Sequence, residues 1–354
     1  MLTAIEIENF RCIERAQLDF DPLATVIVGP NASGKTSLLE AIYFLGHGRS
    51  FRTSAREKLL GPRDAFFRIV GRIALNGSPI VAGAEYSKSG ARAHLAGESL
   101  SSISDIAAVL PIQVIDPGVH RLIEEGSARR RRLMDWGVFH VKHEFLGWWR
   151  RYQRALRQRN AALRNGEDGS VVDAWETELS QSGIRVDELR AEYVLRLQSH
   201  FALMAGRLIN CDAQISYRRG WSVDAELAQA LKDARPRDQR VGTTTVGPHR
   251  ADLNFTVDGT PAKDRVSRGQ QKMLAAAFVL AQVALRSAQG GTPTCLMLDD
   301  PAAELDVDNL GKLLASVTSV SSQLIMTSVN ESGLRGVHIG RRFHVEQGRI
   351  WPVL

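Results

Sequence analysis

Cysteine is scarce. Cys12, Cys211 and Cys295 are the three in a chain of 354 residues, and they lie far apart. They form neither a disulfide framework nor a zinc spacing, so a reducing, cytoplasmic setting is expected. No run of eighteen apolar residues occurs, and no membrane span is expected. The opening MLTAIEIENF carries acids early and lacks a long apolar stretch, so no signal peptide is expected. There is no internal repeat, no low-complexity tract and no metal-nuclease cluster. What remains is an ordinary balance, 44% hydrophobic and 24% charged, in a chain long enough for a core and two or three domains.

Formal net charge is +6, but the excess is local. Residues 129–164 hold ten arginines and Lys142 against Asp135 and Glu144, so the remainder of the chain is slightly acidic. A basic segment of this kind points to an anionic partner.

Periodicity divides the chain. LTAIEIENF and ATVIVG read as strands, KTSLLEAIYFLG as a helix, and FFRIVGRIAL and PIVAGAEY as strands of a small β region broken at Asn76-Gly77. LPIQVI is a further short strand. Phe145, Trp148, Trp149, Tyr152, Leu156 and Leu163 then recur at helical spacing, as do Val186, Leu189, Tyr193, Leu197, Phe201, Met204 and Leu208 beyond the break NGEDGS. This predicts a helical hairpin with arms of about 30–40 Å. ADLNFTVDG, TCLMLDD and SQLIMTSV read as strands, Gly269–Arg286 and DNLGKLLASV as helices, and RRFHVEQGRI as a closing hairpin. The expected organisation is a discontinuous α/β domain, 1–116 with 241–354, carrying a helical lobe at 117–240.

GPNASGKT, Gly29, Pro30, Asn31, Ala32, Ser33, Gly34, Lys35 and Thr36, fits G-x-x-x-x-G-K-[ST] between a strand and a helix. Backbone N–H groups of such a loop converge on phosphate oxygens, aided by the helix start. Lys35 would reach the β and γ phosphates, Thr36 would ligate Mg²⁺, and the adjacent Ser37 belongs to the same cradle. CLMLDD supplies an apolar strand ending in acids: Asp299 to hold Mg²⁺ directly or through water, Asp300 to polarise a water. SRGQQK, taken alone, is an ordinary capped helix start.

A phosphate loop, a distant S-x-G-Q, a strand ending in two acids and then AELD is an order that resembles ABC-type ATPases. Within them the chain resembles the RecF DNA-repair family of the SMC-like branch, through GHGRSFR, LPIQVIDP, RRRRLMDWGVFHV, VGPHRADL and SRGQQK. The resemblance covers essentially the whole chain. It implies a P-loop ABC-type ATPase head, α/β with mixed sheets and flanking helices, bearing an inserted helical lobe. It further implies a composite site, in which Ser267, Gly269 and Gln270 meet the ATP held by a second copy, with Asp306 at that dimer interface and Gln113 linking nucleotide to the lobe. Family members carry two acids after the arginine of GPHR; here Ala251 replaces the first. The switch position, a histidine in many ABC ATPases, falls on Thr327 or Ser328 and suggests modest hydrolysis. Pro301 should bias Asp300 toward extended backbone.

The basic segment is expected to touch DNA phosphates through Arg129, Arg130, Arg131, Arg132, Arg150, Arg151, Arg154 and Arg157, with Arg159 and Arg164 on the same arm. The competing expectation is a solvated face paired with Glu176, Glu178, Glu188 and Glu192, while Arg129 to Arg132 pack against the ATPase lobe. Trp148 and Trp149 suit a core better than base stacking. The resemblance implies an ATP-driven dimer clamp on gapped, duplex or single-stranded DNA, with weak DNA-dependent hydrolysis as a switch. It also implies RecR and RecO as partners, RecA loading as the outcome, and roles in recombination, replication and the SOS response. The alternatives are another SMC-like DNA-associated ATPase, a transporter-type ABC subunit and, more weakly, a metabolic kinase.

Overall fold

The computed structural model describes residues 1–61, 65–75, 77–290, 292–320, 322–330, 334 and 336–353; Asn76 of the expected turn lies outside them. The chain packs into two compact units. One comprises residues 1–120, 207–209 and 272–354, the other 121–206 and 210–271.

The first unit holds two six-stranded sheets. Strands β1 (Leu2–Phe10), β2 (Ile13–Asp19), β4 (Phe66–Leu75), β5 (Ser78–Ser87), β6 (Gly90–Leu95) and β7 (Glu98–Leu100) make an antiparallel sheet in the order β2-β1-β4-β5-β6-β7. The second sheet runs β15-β14-β3-β13-β12-β8, with β3 (Ala24–Val28), β8 (Ile112–Ile115), β12 (Thr294–Leu298), β13 (Ser322–Ser328), β14 (Arg341–Glu346) and β15 (Arg349–Val353). All its neighbours are parallel except the β14–β15 hairpin. Buried on both faces, β12 reads as a continuous apolar run rather than an alternation.

Helix Lys35–His47 joins one core with both sheets. Leu38, Leu39, Ile42 and Leu45 bury among Ile5, Ile7 and Ile69 of one and Ile27, Ile325 and Val345 of the other. Phe67 packs edge-on against Phe10 and Phe44, each at 5.0 Å. The buried Gln323 amide links the sheets, accepting from Leu2 N (2.9 Å) and donating to Leu2 O (2.7 Å). The β2 strand has no counterpart in the sequence reading; only one residue pair of a tight turn, Arg11-Cys12, separates it from β1.

The second unit is mainly helical: Ser127–Val141, Phe145–Asn165, Gly169–Ile209 and Leu227–Val241, with a three-stranded sheet β11-β10-β9. Its strands are β9 (Ala213–Arg218), β10 (Asp252–Val257) and β11 (Thr260–Pro261). The second arm is longer than expected: 41 residues without interruption, about 60 Å at the α-helical rise. Arg159 is wholly buried in this unit, donating to Glu176 (2.8 Å), Asp238 (2.8 Å) and Thr244 Oγ1 (2.8 Å). It therefore leaves the basic face and becomes the centre of an internal ion network. Trp149 stacks on Tyr152 (5.8 Å) under the Arg190 guanidinium (5.0 Å), a packing role.

Removing one member of a buried ion network strands its partners. Arg159→Ala should cost about 3–5 kcal/mol, read as a lowered urea midpoint, whereas the exposed Arg157→Ala should leave the midpoint unchanged. Equal midpoints for both variants would dismiss the network as a source of stability.

Candidate functional site

The phosphate loop follows β3, and its geometry rests on two glycines. A Cβ on Gly29 would collide with the Val345 carbonyl of β14. Gly34 sits at φ 116°, where a side chain is strained. The loop then turns directly into helix Lys35–His47, whose first N–H groups have no intrahelical partner. Lys35 is buried, and its Nζ donates to Gly29 O (2.7 Å) and Pro30 O (2.9 Å). Burial lowers its pKa, opposed by Asp300 and Asp299. Ser33 Oγ is buried without a hydrogen-bond partner. A cationic tip folded onto loop carbonyls, an unsatisfied hydroxyl and a helix start that no side chain caps together suit a bound polyphosphate.

Two acids lie at the carboxyl end of β12. Thr36 Oγ1 lies 3.0 and 3.1 Å from the Asp299 carboxylate oxygens. Thr327, at the end of β13 and fully buried, places its hydroxyl 2.9 Å from Asp299 Oδ1 and accepts from Asp300 N at 2.9 Å. Of the two residues expected at the switch position, Thr327 is the one whose hydroxyl reaches both acids. Burial raises the Asp299 pKa, while the hydroxyls of Thr327 and Thr36 pull it down. The donor set, one hydroxyl and one carboxylate on adjoining elements, has the hard-oxygen chemistry that Mg²⁺ takes.

Asp300 departs from expectation. It lies in the left-handed region at φ 45°, ψ 54°, not in extended backbone, although Pro301 follows. The Thr327 bond to its N–H and the short helix Pro301–Glu304 that it caps hold this conformation. Its Oδ1 is buried without a hydrogen-bond partner. Strain of this sort in a polar, unsatisfied residue marks functional positions.

Gln113 does not reach the loop. It is buried in β8, at the sheet edge three strands from β3, and its amide donates to Gln282 Oε1 at 3.2 Å. The reason is register: Gln113 pairs with Leu296 and points into the helix Arg268–Ser287 behind the sheet.

Ser267, Gly269 and Gln270 are exposed at the start of that helix. Ser267 Oγ accepts from Gln270 N (3.4 Å), and Gln270 Oε1 accepts from Ser267 N (3.0 Å), a reciprocal capping box. A Cβ on Gly269 would meet nothing within 4 Å. Asp306, also exposed, caps helix Val307–Thr318 by accepting from Asn309 N at 2.8 Å, and those bonds lower its pKa.

The arginines divide. Arg130 grips Asp252 (2.7 and 2.9 Å) and Arg131 donates to Ala251 O (2.7 Å), so both turn inward. Asp252, the acid that remains after Ala251, is thereby a structural anchor. Arg132 is exposed, and Arg129 is half-buried. Arg151 pairs with Glu178 (2.8 Å) and stacks over Trp148 (4.7 Å). Arg150, Arg154 and Arg157 are exposed. Glu176 serves Arg159 and Arg235, Glu188 pairs with Arg185, and Glu192 with Lys142.

Sequence reading missed one cluster. The fully buried Glu40 receives Arg11 through two 2.6 Å bonds, with Ser50 and Arg52 around it. The block GHGRSFR carried the signal, because it supplies Ser50 and Arg52, but nothing local identified Glu40 as their partner. Among the described residues no helix is long and apolar enough to cross a membrane.

This fold and site define an SMC-type head. The family described as RecF/RecN/SMC N terminal domain matches residues 1–349. The chain is 37% identical over 354 residues to the DNA replication and repair protein RecF of Shewanella baltica (strain OS223), covering 99% of this chain and 98% of that protein. It is 34% identical over 355 residues to the protein of the same name from Thioalkalivibrio sulfidiphilus (strain HL-EbGR7), covering 99% of each. The chain belongs to the RecF family. Its fold matches the solved recombination mediator protein RecF-ATP of the RecFOR pathway with a TM-score of 0.88, at 24% identity over 100% of this chain and 97% of that one. An Smc head domain from Pyrococcus furiosus, bound to the C-terminal domain of ScpA, matches at 0.60 with 16% identity, over 99% and 95%.

Since burial raises the Asp299 pKa in the folded protein, the associated stability is complete below the ordinary carboxylate pKa and is lost as pH rises through the raised value. Thr327→Val removes a hydroxyl that opposes the rise. The variant should lose more thermal stability near neutrality than around pH 4, measured by thermal unfolding at both. An equal loss at both would reduce Thr327 to packing.

Proposed function

We propose that this chain is an ATP-dependent DNA-binding protein of recombinational gap repair, and that ATP joins two copies into a clamp. The observation that carries this reading is the pairing of a complete phosphate loop and Thr36–Asp299–Thr327 junction with a separate, solvent-facing Ser267–Gly269 helix start. The chain's own packing makes no demand for a bare Gly269. A second copy's triphosphate supplies a reason: its oxygens can approach backbone that carries no side chain.

On this reading Lys35, Ser33, Ser37 and the loop N–H groups from Asn31 to Thr36 hold the triphosphate. Thr36 and Asp299 would hold Mg²⁺, which when bound neutralises phosphate charge. Asp300 orients the attacking water, its backbone fixed through Thr327. With a threonine hydroxyl in place of an imidazole at the switch position, turnover is slow and serves as a timer. Ser267, Gly269 and Gln270 donate to the neighbour's phosphates, with Asp306 at the same interface.

DNA contact falls to the exposed Arg132, Arg150, Arg154 and Arg157, and to Arg129 and Arg151 at the edges of their present pairings; Arg130 and Arg131 position the helix that carries them. This surface has charge but no base code, which suits phosphate contact on gapped, duplex or single-stranded DNA. With six phosphates contacted, log K against log salt should fall with a slope of roughly −5. RecR and RecO are the proposed partners and RecA loading the outcome, in replication-linked repair and the SOS response.

Sedimentation tests the clamp. Wild type with saturating ATP and gapped DNA should form dimers, and Lys35→Met should not. Gly269→Arg should keep the wild-type melting temperature and still bind ATP as a monomer, yet fail to dimerise. A wild type that stays monomeric at micromolar concentration with both ligands would sink the proposal.

A further inference from the structure

The helical hairpin of the second unit holds a cleft that its own packing leaves open. Helix Phe145–Asn165 lines it with Arg151, Arg154 and Ala155, and helix Gly169–Ile209 with Ala174, Trp175 and Glu178. Spacings of three and four residues set each trio on one helix face. The cleft measures about 420 Å³, within the range of small-molecule pockets. Two alanines, one from each helix, leave that room between larger neighbours. Trp175 is half-buried at the border of the cleft. On the facing helix Arg151 is held in place: it donates to the Glu178 carboxylate at 2.8 and 3.1 Å, and its guanidinium lies 4.7 Å over the Trp148 ring. Arg154 is exposed and forms no ion pair with a described residue.

Resting on the reading that this arm binds DNA, we propose that the cleft takes an unpaired nucleobase of gapped or single-stranded DNA, with Trp175 as its stacking face. Single-strand sites combine a cationic track for the backbone with aromatic faces for the bases. Both are present here. Arg150, Arg154 and Arg157 are exposed at positions i, i+4 and i+7, a row of about 10 Å along one helix face. Arg154 belongs to the row and to the cleft alike. The planar Arg151 guanidinium, fixed by its two-bonded pair, adds a second surface on which a ring can stack. Glu178 decides what enters. Its carboxylate repels phosphate and the acidic side chains of a protein partner, yet can accept from the exocyclic amine of a base. Phosphates therefore stay on the arginine row while a base goes in. In a duplex the base faces are already stacked on their neighbours and cannot reach the indole. The cleft thus separates a gap from continuous duplex, which phosphate contacts by themselves cannot do.

Fluorescence anisotropy with gapped DNA and with continuous duplex of the same length tests the cleft. Trp175→Ala should weaken gapped DNA about tenfold, leave duplex unchanged and keep the wild-type salt slope, and Trp175→Phe should restore binding. Arg154→Ala should weaken both substrates and make the slope shallower by about 1. Unchanged affinity of Trp175→Ala for gapped DNA, or equal weakening of gapped and duplex DNA, would overturn the base site and leave phosphate contact intact. A Trp175→Ala variant that spares DNA but loses RecR would assign the cleft to a protein and overturn the base site too. A wild type that binds neither DNA would overturn the DNA reading itself. A fluorescent base analogue needs no variant: binding of the wild type should change its emission in the gap and not in the duplex arm, whereas the same change at both positions counts against the cleft.

Discussion

The head is organised around a carboxylate taken almost wholly out of water. Asp299 ends a strand buried on both faces, and its charged form is disfavoured there by desolvation. Hydroxyls on two other elements compensate: Thr36, the second residue of the phosphate-loop helix, and Thr327, the penultimate residue of β13. Three segments distant in sequence are thereby required to meet at one point. The same Thr327 oxygen accepts the Asp300 N–H, so the unusual backbone of Asp300 belongs to the same junction. Each of these groups has a partner on the parallel sheet, which is why the site can be built on rigid strands rather than on loops alone.

The phosphate loop is pressed against the β14–β15 hairpin by close backbone approach, Gly29 toward Val345 and Gly348 toward Ser33. This contact gives the loop an asymmetric surround: acids and hydroxyls on one side, the turn of the terminal hairpin on the other. An arrangement with both flanks built from this single chain contrasts with the helix start at Ser267, which is satisfied internally by its capping box and yet leaves Gly269 bare. A feature that internal packing does not require is the kind that a partner explains.

The basic segment shows how little a charge count says about surface. Arg159 is one of ten arginines in a run that reads as solvent-facing, but three charged or polar side chains of three different segments close over it. Arg130 and Arg131 likewise spend their donors on residues 251 and 252, more than a hundred positions away. A guanidinium carries five donors in a fixed fork. That makes it as suited to knitting a fold as to gripping phosphate, and sequence alone cannot separate the two uses.

The sequence by itself determined the loop GPNASGKT, the buried strand before Asp299 and Asp300, and the amphipathic arms. Each is written in contiguous residues, where spacing maps directly onto local backbone geometry. Tertiary structure decided what depends on residues brought together from afar. It set Thr327 between the two acids, gave Glu40 to Arg11 and Gln113 to Gln282, and turned Asp300 left-handed against the bias of Pro301. It also extended the second arm to 41 residues, with Val172 and Leu179 buried along the turns that precede Val186. Hydrogen-bond partners that lie 28, 29 or 169 positions apart leave no periodicity to read, and so these pairings were absent from the sequence until the chain was folded.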